Sequence, residues 1–76
     1  MNTIKIKDKE IYATNVGKNI KKYRKQRNIT QIELANKLNV SNAWLCKLEN
    51  GNRNTTIFRL SEIANVLNIK LIDLIE

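Results

Sequence analysis

Histidine and proline are absent from these 76 residues, cysteine, tryptophan and phenylalanine occur once each, and glycine occurs twice. Each gap closes off a class of chemistry. One cysteine, Cys46, cannot form an intrachain disulfide. Without histidine, neither a zinc finger nor a histidine-based catalytic centre can be assembled. Paired catalytic carboxylates, a nucleophile beside a base and a glycine-rich phosphate loop are also missing. The sequence therefore does not read as an enzyme, and no metal, cofactor or small-molecule ligand is expected. No apolar run approaches the roughly 18 residues that span a bilayer, and no signal-peptide pattern opens the chain. A soluble, cytoplasmic protein is expected. A chain of this length hides only about 60% of its unfolded surface, so it makes one small domain whose core gains from self-association.

Basic charge is what the chain does have. Fourteen Lys and Arg stand against seven Asp and Glu, giving a net charge of +7. Six of those basic residues fall between Lys18 and Arg27, with no acid among them. A patch this concentrated suits a polyanion, nucleic acid before a membrane surface. A face that merely keeps the protein in solution is the bland alternative.

With so little glycine and no proline, asparagine has to punctuate the chain. Asn28, Asn39 and Asn68 are each followed by an apolar residue. Asn tolerates the left-handed conformation that closes a helix, and the apolar residue can fold back onto the last turn. Gly51 supplies a fourth stop. The starts agree: Thr30 with Glu33 makes a capping box, Ser41 can cap a next helix, and Thr55 or Thr56 the one after. Between these marks the apolar spacing is helical. Val16, Ile20 and Tyr23 share a face, as do Leu34, Ala35 and Leu38, then Leu45 and Leu48. Ile57, Leu60, Ile63, Ala64 and Leu67 form another set, and Leu71, Leu74 and Ile75 a last short one. The expectation is an all-α, compact five-helix domain over 15–76. Residues 1–14 are a basic arm or an extension of the first helix. Because the basic run belongs to a capped multi-helix domain, binding as a membrane-surface peptide is disfavoured.

Two short helices separated by Asn39-Val40-Ser41 have the shape of a helix-turn-helix, whose second helix can enter a major groove. Leu45 and Leu48 must face inward to hold that second helix. Asn42, Ala43, Cys46 and Lys47 are then left outward, with Trp44 oblique. Asn pairs with adenine, Lys with guanine, and Ala touches a thymine methyl. The polar stretch Asn50 to Thr55 exposes N–H groups and one Arg, which suits phosphate clamping. Asn50, Arg53 and Asn54 are its candidates. Lys18, Lys21, Lys22 and Lys25 would add long-range attraction.

Thr30-Gln31-x-Glu33-Leu34-Ala35, followed at fixed distance by Leu45-x-x-Leu48-Glu49-Asn50-Gly51, resembles the phage lambda repressor-like (Cro/CI type, XRE) helix-turn-helix family. The resemblance runs from Val16 to Leu74 and takes in Arg24 and the Ile57-to-Leu67 segment. It implies that Gln31 bridges the DNA backbone and the recognition helix. It also implies that Arg24 and Glu49 form an ion pair tying the first helix to the end of the third. Asn42, Ala43 and Lys47 would read base edges, with Trp44 beside them, and Ser41 would touch a phosphate. Cys46, often a serine in the family, becomes a small neighbour of the backbone. Trp44 has two readings: packing on sugar edges or a thymine methyl, or covering the junction of the first and third helices.

One recognition helix reads too few base pairs to find a site in a genome. The family solves this by two-fold pairing on a palindrome. The Ile- and Leu-rich end, with Leu71, Ile72 and Ile75, is the expected dimer seam. The function implied is a homodimeric, sequence-specific regulator of transcription on double-stranded DNA, acting by occlusion or by contact with RNA polymerase. It resembles restriction–modification controller proteins and phage repressors. An antitoxin-type autorepressor and a nonspecific nucleic-acid or protein adaptor are the alternatives.

Overall fold

In the computed structural model the backbone is described from residue 6 and the side chains from residue 13. Of the arm or helix extension expected over residues 1–14, residues 1–5 lie outside the described residues. Five helices follow in order: α1 (Ile6–Gln26), α2 (Gln31–Leu38), α3 (Asn42–Glu49), α4 (Ile57–Leu67) and α5 (Leu71–Ile75). No strand occurs among the described residues. The all-α, five-helix expectation is met.

One device ends four of these helices. Asn28, Asn39 and Asn68 take φ of 57°, 58° and 57°, and Gly51 takes 79°. The next residue's N–H then reaches back five positions. Ile29 donates to the Arg24 carbonyl at 3.1 Å, Val40 to Ala35 at 3.0 Å, Asn52 to Lys47 at 2.9 Å and Ile69 to Ala64 at 3.0 Å. This is the Schellman closure, which satisfies carbonyls that the helix itself cannot. Ile29, Val40 and Ile69 also pack on the core, so three turns are held by hydrogen bond and burial together. At the helix starts, Glu33 N–H donates to Thr30 Oγ1 at 3.1 Å while Thr30 N–H donates to Glu33 Oε1 at 3.0 Å. Thr56, not Thr55, caps α4, accepting from Arg59 N–H at 3.1 Å.

The core takes Val16 and Ile20 from α1, Leu34, Ala35 and Leu38 from α2, and Leu45 and Leu48 from α3. Leu60, Ile63, Ala64 and Leu67 of α4 and Leu74 of α5 complete it. Helical spacing places Ile57 with this set, but it is 63% exposed and its neighbour Phe58 71%. The first turn of α4 stands clear of the core, and periodicity does not reveal where a core ends.

Long-range bonds from two side chains lock the ends. Arg27 at the end of α1 donates from Nε to the Leu67 carbonyl at 2.8 Å and from Nη2 to that of Asn68 at 3.2 Å. A guanidinium there both satisfies free carbonyls and complements the helix dipole of α4. Asn19 of α1 donates from Nδ2 to the Leu74 carbonyl at 2.8 Å, fixing α5 against α1.

Candidate nucleic-acid interface

The turn Asn39-Val40-Ser41 sets α3 against α2. Left-handed Asn39 ends one helix, and extended Ser41 begins the next, its Oγ accepting from Trp44 N–H at 3.0 Å. That hydroxyl keeps its own proton to donate, which is what a phosphate oxygen requires. Leu45 is 0% and Leu48 1% exposed, so α3 is anchored by the face the sequence assigns to it. Asn42, Ala43 and Lys47 are exposed on the helix's other side. An amide, a methyl and an ammonium are thus presented together on one rigid helix, the groups that base edges in a major groove can pair with.

The far end of α3 is locked to α1. Arg24 Nε donates to Glu49 Oε2 at 2.7 Å and Nη2 donates to Oε1 at 3.0 Å, a two-pronged pair. The third nitrogen, Nη1, donates to the Ile29 carbonyl at 2.9 Å. Arg24 is 8% and Glu49 4% exposed. Burying two charges is costly, and their attraction offsets it only when the remaining hydrogen-bonding capacity is filled. Gln31 fills part of it, donating from Nε2 to Glu49 Oε1 at 3.2 Å. Its amide carries a second hydrogen, and the first turn of a helix such as α2, with its unpaired N–H groups, is a place where an anion is favoured. The Arg24–Glu49 pair and Gln31, singled out separately in the sequence, form one network.

Two candidates differ from expectation. Cys46 is not fully outward but half-buried, and its Sγ accepts from Asn50 Nδ2 at 3.5 Å. The thiol and the amide at the end of α3 hold each other. Trp44 is half-buried and packs on the core. Its ring is approached by Arg53 of the α3–α4 loop at 5.9 Å and by Arg59 of α4 at 5.7 Å. The cover it provides lies toward α4, where the covering reading of the sequence, at the junction of the first and third helices, does not place it. Asn50, Arg53 and Asn54 are all exposed.

The basic run also divides. Arg24 is buried against Glu49, whereas Lys18, Lys21, Lys22, Lys25 and Arg27 are exposed, Arg27 with its guanidinium on the carbonyls of Leu67 and Asn68. Lys22 Nζ rests 4.6 Å from the centroid of the Tyr23 ring. Glu49 neutralises Arg24, so the long-range positive field of this run comes from the four lysines and Arg27. Arg27 and Arg59, which the sequence reading left without roles, turn out to bridge helices. Their acceptors lie 40 and 21 residues away, and no local pattern signals such a bond.

Similarity to known proteins agrees with this geometry. A family model described as helix-turn-helix matches residues 20–74. An immunity repressor protein of Bacillus phage phi105 is 38% identical over 56 residues. That stretch is 74% of this chain but 39% of the phage protein, so the chain spans about two fifths of that relative's length. The master regulator for biofilm formation SinR, solved in complex with DNA, superposes with a TM-score of 0.75 at 31% identity, over 80% of this chain and 98% of that one. The restriction-modification controller protein C.AhdI from Aeromonas hydrophila gives a TM-score of 0.81 over 88% of this chain and 97% of that one. Identity there is 21%, and the likeness is one of fold.

Proposed function

We propose, since this chain belongs to the helix-turn-helix family of DNA-binding transcriptional regulators, that it acts as a homodimer on a palindromic operator, with α3 in the major groove. The observation that carries this reading is the outer face of α3. Asn42, Ala43 and Lys47 are exposed on a helix whose other side is fully buried and whose end is pinned by Arg24, Glu49 and Gln31. Rigidity matters here because base discrimination of about 1–3 kcal/mol per bidentate contact survives only if the donor arrives in register.

Affinity and choice are divided between different residues. Gln31, Ser41, Asn50, Arg53 and Asn54 hold phosphates, Cys46 sits as a small group beside the backbone, and the α1 lysines draw the duplex in. Asn42, Ala43, Lys47 and Trp44 read the groove. One such helix covers too few base pairs, so a second copy is recruited through Leu71, Ile72 and Ile75. Ile72 is 50% exposed, and Leu71 and Ile75 are half-buried. On its operator the dimer controls transcription by occlusion or by touching RNA polymerase, which places it in the cytoplasm. The DNA-bound SinR, at 31% identity, supports the DNA-binding reading.

Selection from a random duplex library at near-physiological salt tests the reading. The expected result is an enriched palindrome with half-sites about one helical turn, roughly 34 Å, apart. Binding at low salt with no enriched sequence would replace it with a nonspecific adaptor held by lysines alone.

A further inference from the structure

Arg59 occupies the first turn of α4, where the helix dipole disfavours a cation. Its guanidinium is held there by groups from three elements. Nη1 donates to the carbonyl of Leu38 at 3.0 Å. Leu38 is the last residue of α2, where carbonyls lack partners within the helix. The same nitrogen lies 3.0 Å from Glu62 Oε1 on its own helix. That oxygen is shut off from solvent and outside hydrogen-bond alignment, so Glu62 serves as a counter-charge. Above both, the guanidinium carbon stands 5.7 Å from the centre of the Trp44 ring. A cation at that distance from an indole is attracted to it, more strongly where water is partly excluded.

We propose that Arg59 is a positioning residue for operator choice: it clamps the end of α2 and holds the Trp44 indole in a fixed place beside Ala43 and Lys47. The proposal rests on the DNA-binding reading above and adds to it a residue that does not itself touch DNA. Its neighbour in the ring contact behaves differently. Arg53 is exposed on the loop and can leave the indole for a phosphate. Arg59, tied to Leu38 and Glu62, stays. The indole then meets the groove with one arginine still behind it, and the base step it faces is read through a side chain whose rotamer α4 determines.

Trp44 is the sole tryptophan, so its emission reports this contact without labelling. The test uses the full chain with Arg59→Met, which keeps the apolar stem and removes the planar cation, and with Trp44→Ala. Arg59→Met should shift Trp44 emission to the red. In library selection it should lose about tenfold in preference at the base step that Trp44→Ala also relaxes. Preferences at the steps read by Asn42 and Lys47 should stay within about twofold. Loss of the Leu38 contact also weakens folding, so choices are compared as ratios within one variant, from which the folded fraction cancels. Arg59→Lys, which keeps the charge without the fork, takes the place of Arg59→Met if that variant does not fold. An unshifted emission, an unchanged selection profile or an equal loss at every step would overturn the proposal. If the wild type itself enriches no sequence, the DNA reading fails and takes this inference with it. Failure of the inference alone looks different, because wild type and Arg59→Met then select alike.

Discussion

A methyl group on Gly17 would come within 2.7 Å of the Glu49 carbonyl oxygen, and closer still to that of Leu48. Helices α1 and α3 therefore cross with backbone against backbone, at the residue whose carboxylate holds Arg24. Alanine would gain about 1 kcal/mol of helix propensity over glycine at such a position. Overpacking against rigid main chain costs about 1–3 kcal/mol, and the steric term should win because neither carbonyl can swing away without breaking α3. Gly17→Ala should lower Tm, at about 4–8 °C per kcal/mol for a domain of this size. A variant that melts at or above wild type would show that the crossing is not tight.

The Arg24–Glu49 pair gives a prediction of opposite kind for single and double replacement. Glu49→Ala leaves a guanidinium that is 8% exposed without its counter-charge, at a cost of about 3–5 kcal/mol. Small domains have about 5–15 kcal/mol in all, so much of the chain should be unfolded at body temperature. Arg24→Met combined with Glu49→Leu fills the same space without charge and should recover most of that loss in urea titration. The recovered protein should still bind DNA less tightly, since Gln31 loses the carboxylate that orients it. Equal stability of the single and double variants would mean the pair contributes no more than two exposed charges.

Much of this architecture is written locally, and what is not written locally is what the sequence reading missed. Asn28, Asn39 and Asn68 are legible as helix ends because the left-handed backbone they adopt is a property of the residue itself. Thr30 with Glu33 is legible for the same reason, as is the inward spacing of Leu45 and Leu48. Arg24 and Glu49 are 25 residues apart and are legible through the family pattern, not through any spacing rule. Gly17 reads along the chain as a weak point in a helix, and only the crossing with α3 explains it. Arg27 and Arg59 read as surface charge until their carbonyl acceptors are seen. Ile57 has the right phase for burial, but phase says nothing about what lies opposite it.

Acid should act on the capping box. Backbone and side-chain hydrogen bonds from Thr30 hold the Glu33 carboxyl below its ordinary 4.5. A group whose pKa is lowered by folding adds stability above its unfolded value and loses it as pH falls through the folded one. Wild type should therefore lose more Tm between about pH 5 and 3 than Glu33→Gln, which keeps the reciprocal bond without titrating. Parallel melting curves across that range would remove Glu33 from the acid response.

The seam at α5 can be tested apart from DNA. Leu74 is fully buried and its carbonyl is held by Asn19, so α5 stays docked when its outer residues change. Replacing Ile72 and Ile75 with Lys places two cations on the proposed partner surface while leaving that anchor intact. The expected product is a folded monomer by sedimentation, with circular dichroism unchanged. A dimer of unaltered mass would move the seam elsewhere, with the exposed first turn of α4 at Ile57 and Phe58 as the next apolar surface.

Base reading and phosphate holding leave different signatures in one set of binding curves. Asn42→Ala and Lys47→Ala should each cost about 1–3 kcal/mol on the selected operator and relax choice at a single position, with little change on random duplex. Arg53→Ala should weaken operator and random DNA alike and lower the salt slope by about 1, as expected when one phosphate contact and its released counterion are lost. The contrast is set by what each side chain leaves behind. A missing phosphate contact removes the same energy from every sequence, whereas a missing base contact removes energy from the correct sequence alone. Three variants that lose equally on both DNAs would mean that α3 lies against the backbone and that choice is made elsewhere.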